Sequence, residues 1–106
     1  MIDMDRIREL EAELGAEDLA MIAALFFEEA ARVIDRIART LPEDDHDRAI
    51  HFLRSGALNI GLSGFAAAAD RADHLPAAKR GEAAAALAEA LARSRDALSD
   101  GSRPAA

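Results

Sequence analysis

The sequence predicts an all-α protein, an up-down four-helix bundle with a short additional N-terminal helix, on three observations. Apolar residues recur at three- and four-residue spacing through most of the chain, and no stretch alternates as a strand would. Alanine is abundant, with four phenylalanines, no Trp or Tyr, six glycines and three prolines, a composition that favours closely packed helices. At 106 residues the chain is expected to form one domain, long enough to bury a single core without metal or disulfide staples.

Each element follows from local pattern. Ile2 to Leu14 is a short amphipathic segment with Ile7, Leu10 and Leu14 on one face, closed by Gly15 in a C-cap position, and it is expected to lid the bundle. Ala16 to Leu41 is the longest periodic run. Its stripe is Leu19, Ile22, Phe26, Ala30, Val33, Ile37 and Leu41, and Glu17 and Asp18 suit the positive N-terminal end of the helix. Phe27 and Ile34 fall to one side of that stripe, so they either widen the core contact or add exposed apolar surface. Pro42 closes this helix, and Glu43-Asp44-Asp45 opens the next, which carries His51. Gly61 to Gly64 is a break of small residues in which Ser63 is a candidate N-cap for a helix from about Gly64 to His74. Phe65, Ala68, Ala69 and Ala72 form the inward face of that helix, whose alanines allow close approach of its neighbours. Pro76 ends it and Gly81 marks a loop or a frayed start. Glu82 to Leu98 is the last helix, with Leu87, Leu91, Ser94 and Leu98 inward. Residues 1–99 therefore read as the helical domain and 100–106 as a disordered tail.

Several function classes are disfavoured. There is no cysteine, so disulfide and thiol chemistry are not invoked. The net charge of -7, with arginines scattered among acids, opposes binding to nucleic acid. No apolar run approaches the roughly 20 residues of a membrane span, and Met1 leads into charged sequence, so a cytoplasmic protein that does not bind membranes is expected.

The stretch Ala49 to Phe65, AIHFLRSGALNIGLSGF, carries the chemistry. At about 100° per helical residue, Ile50, Leu53, Ala57 and Ile60 share a core-facing stripe. His51 lies roughly 140° from the middle of that stripe and should face solvent, with Arg54, Ser55, Leu58 and Leu62 near it and Asp47 and Arg48 one turn earlier. Phe52 and Asn59 fall on the far polar side. Exposed leucines beside a histidine suggest a docking surface, although single surface leucines and lone helical histidines are also ordinary.

The run His51-Phe52-Leu53-Arg54-Ser55-Gly56-Ala57-Leu58-Asn59-Ile60-Gly61, followed by Phe65 and Asp73, resembles the H-x-L-K-G-S-x-x-x-x-G signature of histidine phosphotransfer (HPt) domains. In that resemblance His51 matches the phosphorylated histidine, Leu53 the buried leucine, Arg54 the basic residue one turn on, and Gly61 the glycine where the histidine helix gives way to the next. Two departures stand out. Arg54 replaces the usual lysine but keeps the charge, and Ser55-Gly56 inverts the common Gly-Ser order, which puts a hydroxyl where it could narrow the space above the imidazole or bond to it.

The resemblance implies a monomeric phosphoryl carrier that takes a phosphoryl group on His51 from a receiver-domain aspartate and passes it to another receiver, in a hybrid sensor kinase or a response regulator. A neutral imidazole is a competent nucleophile near pH 7, and an exposed site lets a bulky partner reach Nε2. Phosphoryl transfer is mainly positioning and neutralisation of charge, so a cation one turn away is required, and Arg54 is the candidate; the alternative is an ordinary surface salt bridge from Arg54 to Asp47 or Asp70. Ser55, Gly56, Leu58 and Leu62 are the candidate docking residues. The chain offers no nucleotide loop and no carboxylate cluster for magnesium, so no cofactor or metal is expected in the carrier itself and magnesium is expected in the receiver alone. The protein would then be a carrier and not a self-sufficient enzyme. His46 and His74 read as solvated helix-end residues that form no Glu-x-x-His ligand pattern with His51. The alternative function is a non-catalytic helical adaptor that docks a receiver or other signalling partner with the same surface.

Overall fold

Every element of the computed structural model is helical, and the model describes residues 2–39 and 42–102, with the side chains of residues 43 and 100–102 excepted. Five α-helices run α1 Met4–Leu14, α2 Ala16–Ala38, α3 Glu43–Asn59, α4 Ser63–Asp73 and α5 Arg80–Ser102, with a 3₁₀ turn at Ala77–Lys79 before α5. The broadest packing is between α3 and α4, α2 and α5, and α4 and α5, whereas α2 meets α3 through a narrower seam.

Caps explain where the helices stop. The Asp3 carboxylate accepts from the Arg6 amide and opens α1. Gly15, at φ +86°, closes α1 as its C-cap, donating its N–H to the Glu11 carbonyl, and leads directly into α2. The expected end of α2 at Leu41 comes early. The helix stops at Ala38 because Arg39 is extended, and Leu41 lies outside the described residues. Pro42 precedes α3 as its N-cap. The C-terminus of α3 is a Schellman motif: the Leu62 N–H donates to the Ala57 carbonyl at 2.8 Å, the Gly61 N–H to the Leu58 carbonyl at 3.3 Å, and Gly61 has φ +81°. Ser63 is not the N-cap of α4. Leu62 holds that place, with no side-chain capping bond, and Ser63 is the first helical residue. The helix ends at Asp73, and α5 begins at Arg80 and takes in Gly81. Because α5 continues through Ser102, residues 100–102 are helical and not part of a tail; residues 103–106 lie outside the described residues.

The core is continuous from α1 to α5. All four phenylalanines meet at Phe26. Its ring stands edge-on to Phe27 and Phe65 at centroid distances of 6.3 and 6.1 Å and is stacked on Phe52 at 6.5 Å. Phe27 and Ile34 are buried, so both widen the core contact of α2. Ile22 and Leu14 depart from the expected stripes and are exposed, Leu14 at the last residue of α1 and Ile22 near Met21 and Leu25 on a flank of α2 that none of the described residues covers. His46 also departs from expectation. Its place on the Ile50–Leu53 side of α3 buries it to 7% exposure, and its Nδ1 has no hydrogen-bond partner among the described residues.

Candidate functional site

The site is built on α3, whose registry is set by Ile50, Leu53, Ala57 and Ile60, all buried as the spacing requires. That registry turns His51 outward, and its side chain is exposed. Arg54, three residues on and also exposed, lines the same open groove of about 430 Å³. Asp47 and Ile50 of α3 and Asp70 and Asp73 of α4 complete it. The extensive α3–α4 packing therefore brings two carboxylates from a second helix beside the histidine.

Among the described residues Arg54 forms no ion pair, so the alternative salt bridge to Asp47 or Asp70 is not made. Its guanidinium is the one cation in a groove lined by three carboxylates, which leaves the groove negative apart from the side that Arg54 occupies.

Ser55 sits one turn beyond His51 on the same face and is half-buried, with Oγ 3.4 Å from His51 Nε2. Gly56 serves packing. A Cβ at this position would lie 2.5 Å from Phe26 Cε1, so the missing side chain is what lets α2 approach α3. The inverted Ser-Gly order has a physical reason here, because the position that must be empty is 56 and not 55.

The two candidate docking leucines part company. Leu58 is exposed at 53%, on the His51 side of α3. Leu62 is fully buried at 0%, which corrects its placement on the docking surface. Helical arithmetic cannot be extended to it: α3 ends at Asn59, and the left-handed turn at Gly61 swings Leu62 back into the core.

Phe52 is 42% exposed on the polar side of α3, beside Glu29, Arg36, Asp45 and Arg48, and its ring also stacks on Phe26. The sequence named Asp70 only as a possible ion-pair partner of Arg54 and Asp73 only within the resemblance; the packing of α4 on α3 brings both into the groove of His51. His74 is exposed and donates from Nδ1 to the Asp70 carbonyl at 2.8 Å. Comparison of the chain with protein-family models, curated proteins and solved structures returned no match.

Proposed function

We propose that the protein is a histidine phosphotransfer protein, with α2, α3, α4 and α5 in up-down connection, that shuttles a phosphoryl group between receiver domains on His51. The observation that carries this reading is an outward-facing imidazole sharing a groove with a guanidinium one turn away that forms no ion pair among the described residues. In the forward step Nε2 attacks phosphorus, the bond to the receiver's aspartate oxygen breaks, and the carboxylate leaves; the reverse step returns the group to a second receiver. Arg54 neutralises charge on the equatorial oxygens, while the receiver supplies the acyl phosphate and its own magnesium. Asp47, Asp70 and Asp73 raise the energy of a phosphoryl group held in the groove, which suits a carrier that must pass it on.

The same negative groove, together with exposed Leu58 and Phe52, favours the second reading, a non-catalytic adaptor that binds a signalling partner without chemistry. One experiment separates the two: incubation with a phosphorylated receiver domain, followed by assay for acid-labile phosphate on this chain. A carrier gains the label. His51→Gln abolishes it while leaving the melting transition unchanged, and His74→Gln transfers as the wild type does. Complex formation without any label on the wild type would support the adaptor.

A further inference from the structure

The hydroxyl of Ser55 faces the reactive nitrogen of His51, and its role is separable from that of Arg54. Ser55 Oγ lies 3.4 Å from His51 Nε2, from one turn further along α3. A hydroxyl can donate to a bare ring nitrogen or accept from a protonated one, and the bond made by one ring nitrogen sets the tautomer of the ring. A nucleophilic Nε2 must carry its lone pair, so the ring proton must sit on Nδ1. We propose that Ser55 is a positioning residue that donates its hydroxyl hydrogen to Nε2, and so holds His51 as the Nδ1–H tautomer with the Nε2 lone pair directed along the outer face of α3.

Several features fit that role. Ser55 is half-buried, so its side chain is less free than a surface hydroxyl. Its residue position is free to carry a side chain, because the close approach of α2 falls on Gly56. At 3.4 Å the bond is long, and it yields readily when phosphorus approaches the same lone pair. As the Nε2–P bond forms and the donor's leaving group takes the electrons of the broken bond, the ring keeps its Nδ1 proton and becomes cationic until that proton passes to water. The released hydroxyl is then left one turn from the phosphoryl oxygens, where it donates to one of them. Ser55 thus acts through the imidazole before transfer and on the phosphoryl group after it, a different task from docking a receiver.

The inference rests on the carrier reading for its chemistry, but the tautomer is measurable without any transfer. In ¹⁵N-labelled protein at about pH 8, long-range ¹H–¹⁵N spectra should show His51 with a protonated Nδ1 and a bare Nε2. Ser55→Ala should shift the ring toward an Nε2–H mixture, and Ser55→Thr, which keeps the hydroxyl, should restore the wild-type pattern. With phosphoramidate as a small donor whose ammonia leaves, Ser55→Ala should be phosphorylated about 2- to 10-fold more slowly, the rate equivalent of one ordinary hydrogen bond. Ser55→Thr should recover most of that rate. A wild-type ring protonated on Nε2, or a tautomer unchanged in Ser55→Ala, overturns the positioning role. A wild type that accepts no phosphate from phosphoramidate or from a receiver overturns the carrier reading instead, whatever the spectra show.

Discussion

Arg54 shares the groove of His51 and has no ion pair among the described residues, so its charge is available to a ligand. Replacing it with Ala should slow transfer by about 10- to 1000-fold, the range for loss of one charge-stabilising donor, and Arg54→Lys should lose less because it keeps the charge without the planar fork. Transfer rates at saturating receiver test this, and an unchanged rate in the alanine variant would remove Arg54 from the chemistry. The leucines give a paired test. Leu58→Glu should change stability by no more than about 0.5 kcal/mol, because the side chain is exposed, while weakening receiver binding by about 1 to 3 kcal/mol. Leu62→Glu would bury an unpaired carboxylate at a site with no exposure, and should cost more than about 4 kcal/mol or prevent folding. Thermal melts run beside a receiver titration distinguish the two. His46 is a poor control for histidine loss, because it is buried and its replacement perturbs the core.

At the scale of elements, the turn between α3 and α4 also anchors α1. The Asp3 N–H donates to the Gly61 carbonyl at 2.8 Å, and Arg6 Nε donates to the Asn59 carbonyl at 2.9 Å, placing a cation at the C-terminal end of α3. Gly61 holds φ +81°, and a Cβ there would lie 3.1 Å from the Asp3 carbonyl oxygen and 3.2 Å from the Ile7 side chain. Gly61→Ala therefore combines left-handed strain with a push against α1. It should cost about 1 to 2 kcal/mol or more and lower the melting temperature by about 5 to 15 °C. Unaltered melting would mean that the turn does not constrain α1. The resemblance marks Gly61 as a junction; the structure adds that α1 closes over that junction.

At the scale of the whole molecule, Phe26 ties α2 to α3 and α4 through its contacts with Phe52 and Phe65 and presses against Gly56. Truncating a hub of this kind leaves a cavity lined by rings that cannot all collapse inward. Phe26→Ala should destabilise the fold by about 3 to 5 kcal/mol, read as a lower urea midpoint with the slope of the transition preserved. A loss below about 1.5 kcal/mol would show that the rings do not share one cooperative core. The hub lies against the α3 segment that bears His51 and Ser55, through Phe52 and Gly56.

Periodicity alone determined that the chain is helical, placed Leu53, Phe65, Ala69 and Leu87 inside, and turned His51 and Arg54 outward, because a helix converts three- and four-residue spacing directly into a face. The same arithmetic failed wherever the helix ended or its surroundings changed. Leu62 is buried because a left-handed glycine reverses the chain before it, Ile22 is exposed because none of the described residues covers that flank of α2, and His46 is buried because its face of α3 is the inner one whatever its polarity. Only tertiary packing brought Asp70 and Asp73 to the histidine and reserved position 56 for glycine beneath Phe26, whereas the Ser55 hydroxyl faces Nε2 through the i,i+4 spacing of α3 itself. Those outcomes depend on which helices touch and how closely, a property of pairs of segments that the periodicity of a single segment does not contain.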